Sequence, residues 1–173
     1  YDPKAISIKI NSEKIDKMPA PRPYREIYVH GSGVEAIHIR FGAVARGGLR
    51  WSDREDDFRT EVLGLVKTQQ TKNVVIVPVG SKGGFIVKNQ PVDKQKLHQL
   101  TQYQYRTFIH SMMEITDNYD AKGNVIPNKY IICYDATDPY LVVAADKGTA
   151  TFSDLANEIS TARNFWLDDG FAS

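Results

Sequence analysis

Two glycine pairs flanking one helix-like segment set the strongest limit on how this chain folds. Between Arg46 and Gly84 it reads ARGGLRW, then a segment of helical periodicity ending Gln69-Gln70-Thr71-Lys72-Asn73, then VVIVPV, then Gly80-Ser81-Lys82-Gly83-Gly84. Paired glycines allow backbone angles and close approaches that a side chain blocks. Cations arrive from three places in this interval, two of them beside the glycine pairs. Such a layout suits a small, doubly charged, carboxylate-bearing molecule held against a lysine.

Hydrophobic patterning extends this interval into an α/β domain. Residues 5–10 alternate apolar and polar side chains, as a half-buried strand does. Pro19, Pro21 and Pro23 punctuate a linker. Strand patterns follow over Arg25–His30 and 34–41, with a turn at His30-Gly31-Ser32-Gly33. Consecutive strands with short connections predict an antiparallel meander. Residues 42–48 read as a glycine loop. Ser52 and Glu55 match a capping box, with Asp53, Asp56 and Asp57 at the positive end of the dipole of a helix expected over 53–71. Phe58, Val62, Leu65 and Val66 give that helix an apolar stripe.

A β-branched strand is expected over 73–79, stopped by Pro78 and Gly80. Pro91 opens a long helix to residue 117, with Leu97, Leu100, Phe108 and Met112 inward, and Lys122-Gly123-Asn124 forms a turn. Residues 130–134, with Cys133 packed among them, and 141–145 read as buried strands. Thr151 and Asp154 then cap a helix to residue 162. Strands alternating with helices after residue 50 argue for an α/β fold. The expected architecture is a mixed sheet with an antiparallel N-terminal meander and flanking helices.

Composition narrows the function classes. At 173 residues the chain fits one domain, and 42% hydrophobic residues suffice for a core. A net charge of +1 offers no electrostatic footprint for nucleic acid or a membrane surface. The single cysteine, Cys133, excludes an intramolecular disulfide and fits a reducing compartment, either the cytoplasm or a mitochondrial matrix. No apolar run approaches the roughly 18 residues of a membrane-spanning helix. His30, His38, His98 and His110 lack metal-ligand spacing and Cys133 lacks a zinc partner, so no metal is expected. Gly80-Ser81-Lys82-Gly83 is not a phosphate loop, because neither serine nor threonine follows the lysine. A start at Tyr1 rather than methionine fits a piece of a longer protein.

Several residues stand out for chemistry. Like charge and desolvation can lower the pKa of Lys82 and fit it for base chemistry, although a loop lysine can also be a solvated surface group. Asp146 ends an apolar strand, where α/β proteins place reacting groups; it can equally cap the next turn. Gln69 and Lys72 are three apart at a helix end and share a face, and Lys72 also complements the helix dipole. Arg50 can be structural, paired with Asp53 or another carboxylate.

The string GGLRWSDREDDFRTEVLGLVKTQQTKNVVIVPVGSKGGF closely resembles the large, NAD-specific class of glutamate dehydrogenases, as does DPYLVVAADKGTATFSDLANEI. The smaller glutamate dehydrogenases are similar more loosely. The resemblance is carried by the region from residue 46 to 159, with little in the first forty-odd residues. It implies that Lys82 is the catalytic lysine that activates water and that Asp146 shuttles protons to and from the substrate nitrogen. It further implies that Gln69 and Lys72 hold the substrate α-carboxylate. Arg46, preceding Gly47 and Gly48, stands where the small enzymes have a lysine that contacts the side-chain carboxylate. An arginine can grip a carboxylate in bidentate fashion. The interval from Lys72 to Lys82 is shorter than in the small enzymes.

No glycine-x-glycine-x-x-glycine opens a helix after a strand. Residues 1–173 are therefore expected to be a substrate-binding domain, with the dinucleotide-binding domain absent from this chain. The resemblance implies an NAD-dependent, homo-oligomeric parent that converts L-glutamate to 2-oxoglutarate and ammonium, with the isolated domain inactive. Two other readings remain: a non-catalytic dicarboxylate-binding or assembly domain, and a pyridoxal-phosphate enzyme using Lys82.

Overall fold

The computed structural model describes residues 1–72 and 78–171, without the side chains of Thr71 and Lys72. Eight strands and three α-helices are described: β1 (Ile6–Ile10), β2 (Arg25–His30), β3 (Val34–Arg40), β4 (Ala45–Trp51), α1 (Phe58–Lys72), β5 (Val79–Val87), α2 (Lys94–Glu114), β6 (Asn118–Tyr119), β7 (Val125–Ile126), β8 (Val142–Ala145) and α3 (Ser153–Ala162). Six strands form one mixed sheet in the order β1-β2-β3-β5-β4-β8. β1, β2, β3 and β5 pair antiparallel, while β4 runs parallel to β5 on one side and to β8 on the other. This is the expected α/β class with its N-terminal meander.

The sheet is covered on both faces, and strand alternation decides which side chain goes where. On one face α1 packs over β3 and β5, burying Ile37, Ile39, Phe58, Val62, Val66 and Ile86. On the other, α2 and α3 close a larger core built around Phe85, Tyr105, Phe108, Met112 and Phe152. The unit β4–α1–β5 is a parallel crossover, which forces α1 to run antiparallel to both strands.

Several sequence expectations are corrected. Residues 42–48 are not all loop, because Gly47 and Gly48 lie inside β4, between β5 and β8. Gly80 does not stop a strand. β5 continues through Gly80 to Gly84, since β3 hydrogen-bonds it along one edge and β4 along the other. The expected strand over 73–79 falls largely on residues outside those described. The capping box of Ser52 and Glu55 does not form. The Ser52 N–H, the donor a capping-box glutamate would take, is bound instead to the Phe85 carbonyl (2.8 Å), and the helix starts at Phe58.

Residues 130–134 form no strand: Tyr130 lies in a turn and 131–134 have no regular structure, with Tyr130, Ile132, Cys133 and Tyr134 exposed. Among the described residues this continuous apolar run pairs with no strand of the sheet. α2 begins at Lys94, capped by the Asp93 carboxylate accepting from the Lys96 N–H (2.8 Å) rather than by Pro91. α3 follows a 3-10 turn, Ala150–Phe152, without a side-chain cap. Among the described residues no helix is long and apolar enough to cross a membrane.

A buried ion cluster pins the connection from α2 to β8 onto the meander. Asp138, 5% exposed, accepts from Arg40 and from Lys9 (3.2 Å), while Asp135 accepts from Arg25 (3.2 Å). These two carboxylates are thereby committed to structure, which separates them from Asp146. Beside them His38 is buried on β3, with no hydrogen-bond partner for either ring nitrogen among the described residues. Burial pushes its pKa down to about 3; the Arg40 charge adds to this and Asp138 opposes it.

The native state therefore keeps His38 neutral while the unfolded chain protonates it below its ordinary value of 6.5. Its contribution to stability is complete above that pH and drains away as pH falls toward 3, by roughly 1.4 kcal/mol per unit. Urea unfolding between pH 7 and 4 should show a wild-type slope that His38→Leu reduces. Parallel curves for the two proteins would overturn this assignment.

Candidate active site

The chemistry-bearing side chains gather on the α1 face, where β5, β4 and β8 lie side by side. Lys82 sits in the middle of β5, with its same-face neighbours along the strand, Gly80 and Gly84, lacking side chains. Those two positions are where α1 approaches. A Cβ on Gly84 would lie 2.5 Å from Val62 Cγ2, and one on Gly80 would lie 2.8 Å from Gln69 Oε1. The glycines thus let α1 lie close to the strand and leave Lys82 in a notch between them.

β4 supplies the next row. Its register with β5 and β8 puts Arg46 beside Gly80 and Val142, and Gly48 beside Ala144. Alternation places Arg46, Gly48 and Arg50 on the face that Lys82 uses. A Cβ on Gly48 would come within 2.7 Å of Asp146 Cβ, so this glycine makes room for the carboxylate that follows β8. Gly47 points to the other face, where a Cβ would overlap the Ser81 carbonyl.

Lys82 and Asp146 meet. Lys82 Nζ donates to Asp146 Oδ2 at 2.8 Å, with the side chains 23% and 16% exposed. The other oxygen, Oδ1, accepts from the Lys147 N–H (2.7 Å) and from Arg50 Nη2 (3.3 Å). Burial alone would raise the Asp146 pKa. The Lys82 hydrogen bond, the Lys147 N–H and the charges of Lys82 and Arg50 outweigh it, and the carboxyl is held below its ordinary value. The nearest charged partner of Lys82 is thus a carboxylate rather than another cation.

The loop carrying Asp146 is fixed from behind. The Thr149 hydroxyl donates to the Leu49 carbonyl (2.7 Å) and accepts from the Asp146 N–H (3.0 Å). Gly148 adopts a φ of +81°, and a Cβ there would press on Trp51 at 2.9 Å, so only glycine turns this corner without strain. Asp146 does sit in a turn, as the structural reading of the sequence allowed, and its carboxylate is nevertheless aimed at Lys82.

Gln69 lies over Gly80, and its Oε1 is buried with no hydrogen-bond partner among the described residues. Lys72 ends α1, but its side chain lies outside the described residues. Arg46 is exposed on the face shared with Lys82. Sequence reading left Arg50 open and passed over Glu61 and Thr149. Arg50 pairs with Glu61 and Asp146 rather than Asp53. Its placement is legible once 45–51 is read as a strand, because Arg46 and Arg50 then share one face. A separate groove of about 910 Å³ opens near Lys9, Glu114, Tyr130 and Tyr134, toward the β1 edge.

Residues 2–173 match the family described as "Bacterial NAD-glutamate dehydrogenase, catalytic domain". The chain belongs to this family. It is 53% identical over 176 residues to the NAD-specific glutamate dehydrogenase of Mycobacterium tuberculosis, covering 97% of this chain and 11% of that protein. It is 54% identical over 170 residues to the enzyme of the same name from Pseudomonas aeruginosa, covering 97% and 10%. The protein so named from Saccharomyces cerevisiae is 29% identical over 174 residues, covering 92% and 15%. The chain thus spans about a tenth of the length of the bacterial relatives. The match also takes in the N-terminal meander, which sequence reading had credited with little of the likeness.

The glutamate dehydrogenase family name implies NAD. Among the described residues no strand passes through a three-glycine turn into a helix, the arrangement that cradles a dinucleotide pyrophosphate. These residues do not fit a dinucleotide seat, and what they build is a face of cations, Arg46, Arg50 and Lys82, with the carboxylates of Asp146 and Glu61.

If the glycines at 80 and 84 exist to admit α1, adding a methyl should cost stability where the neighbour cannot yield. Gly84→Ala is expected to destabilise by about 1–3 kcal/mol through overpacking against Val62. Gly64→Ala, on the exposed side of α1 with nothing within 4 Å, should instead stabilise by roughly 0.5–1 kcal/mol. Urea titration of both variants checks the contrast; a neutral Gly84→Ala would refute the packing argument.

Proposed function

We propose that this chain is the amino-acid side of an oxidative deamination site. In the longer protein, L-glutamate, NAD and water become 2-oxoglutarate, ammonium, NADH and a proton. The observation that carries this reading is the 2.8 Å contact between Lys82 and Asp146 on the face that also bears Arg46 and Arg50. Family membership supports it, since relatives that cover nearly the whole chain carry the name NAD-specific glutamate dehydrogenase.

In this mechanism Arg46 and Lys72 bind the two carboxylates of glutamate, one at each end, and Gln69 supports the α-carboxylate. A planar guanidinium offers two parallel N–H groups, which suits Arg46 to the side-chain carboxylate. The buried Oε1 of Gln69, beside Gly80, accepts only from a donor such as the substrate ammonium, and its amide NH2 is the group that donates to the α-carboxylate. Fixing the substrate at both ends supplies orientation, worth several kcal/mol of the barrier. Lys82 binds and activates the water that attacks the substrate Cα once it is an iminium. Asp146, held as a carboxylate, takes a proton from the substrate nitrogen and returns one to the leaving ammonia. Residues 1–173 act as a substrate-binding domain facing a dinucleotide-binding domain elsewhere in the longer protein.

General acid–base groups typically contribute about 10²–10⁴-fold. In the full-length enzyme, Asp146→Asn should lower glutamate-dependent NAD reduction into that range, with KM for glutamate little changed. Arg46→Ala should act mainly through KM. An Asp146→Asn enzyme turning over at the wild-type rate would sink the proposal.

A further inference from the structure

Arg50 stands between two carboxylates on different elements, and its geometry goes beyond pairing charge with charge. Its guanidinium reaches from β4 to Asp146 Oδ1 through Nη2 (3.3 Å) and to Glu61 Oε1 on α1 through Nη1 (3.2 Å). Glu61 Oε2 is held in turn by the Ser52 hydroxyl (2.5 Å), and the Ser52 N–H is bound to the β5 carbonyl of Phe85 (2.8 Å). A chain of hydrogen bonds thus runs from the sheet, through α1, to the carboxylate that meets Lys82. Arg50, Glu61 and Asp146 are all at least four-fifths buried.

A carboxylate turns about its last bond over a broad range when only one oxygen is held. Here Lys82 holds Oδ2, while Lys147 N–H and Arg50 hold Oδ1. The charged groups gathered around Asp146 are Lys82 from β5, Arg50 from β4 and, through Arg50, Glu61 from α1. Arg46 shares their face farther along β4.

We infer that Arg50 is a positioning residue: anchored by Glu61, its fork fixes the Asp146 carboxylate in the orientation that meets Lys82. α1 thereby sets the aim of a group it does not touch. The kinetic consequence rests on the function proposed above; the geometric one does not. Lysine would not substitute, because its single ammonium cannot hold two carboxylates in a fixed plane.

The test has two arms. In the full-length enzyme, Arg50→Met and Arg50→Lys should each lower kcat by about tenfold or more, with KM for glutamate within about twofold, the mark of a lost transition-state interaction. Removing the cation in Arg50→Met should also shift the acid limb of kcat/KM to higher pH, since Asp146 then loses a stabilising charge. In this chain, the Asp146 carboxyl carbon followed by NMR should titrate about half a unit higher or more in Arg50→Met. Wild-type kcat in Arg50→Lys would show that charge alone is needed and would overturn the positioning role. An unmoved Asp146 titration in a folded Arg50→Met chain would overturn it as well. If the wild-type full-length protein showed no glutamate turnover, the proposed function would fail while the carbon titration still decided the geometry.

Discussion

A lysine in the middle of a strand that is paired along both edges has only one way to project, and the placement of this site follows from that restriction. β5 is hydrogen-bonded to β3 and β4, so Lys82 must leave the sheet on the α1 face. Glycine on either side of it along that face lets the helix come close without covering the amine. The parallel register of β4 with β5 and β8 then decides what stands next to it: Arg50 and, at the end of β8, Asp146. Strand register brings Lys82 beside the end of β8, and the Gly148–Thr149 turn aims the Asp146 carboxylate at it.

Charge is handled differently at the two ends of the sheet. Around Asp138 the ion pairs are buried and saturated, with Arg40 and Lys9 on a single carboxylate. Leaving one of those charges unpaired in the interior would be costly, so the cluster acts as a structural clamp on the α2-to-β8 connection. Around Asp146 the side chains are partly exposed and the two sides of the carboxylate face different cations. A carboxylate held in its ionised form, with its own side chain and that of Lys82 still partly exposed, is suited to exchanging protons with a ligand. Asp135, Asp138 and Asp146 thus have different parts to play despite lying within a dozen residues of one another.

The sequence made the architecture readable where patterns were local. The alternation of the meander, the crossover and the long second helix all follow from periodicity. It misled where long-range pairing overrode a local signal. Gly47, Gly48 and Gly80 looked like loop or strand-stop residues, yet each lies in a strand and serves close packing. Ser52 looked like a cap, but its N–H was already committed to β5. Residues 130–134 looked like a buried strand, but among the described residues no strand of the sheet pairs with them. Lys82 and Asp146 each stood out locally, but their contact did not, since 64 residues separate them and no spacing rule links them; the family resemblance implied that they work together. Arg50 was read as pairing with Asp53 or another carboxylate, but its actual partners, Glu61 and Asp146, lie on other elements, and reading 42–48 as loop concealed the shared face of Arg46 and Arg50.

In the proposed mechanism Lys82 and Asp146 act as one catalytic unit. A double-mutant cycle in the full-length enzyme tests it most directly, comparing kcat for Lys82→Ala, Asp146→Asn and the pair in glutamate oxidation. Groups that act together are grossly non-additive, so the double variant should be no more than about threefold slower than the worse single one. Losses that multiply, or a single variant that keeps the wild-type rate, would contradict the account.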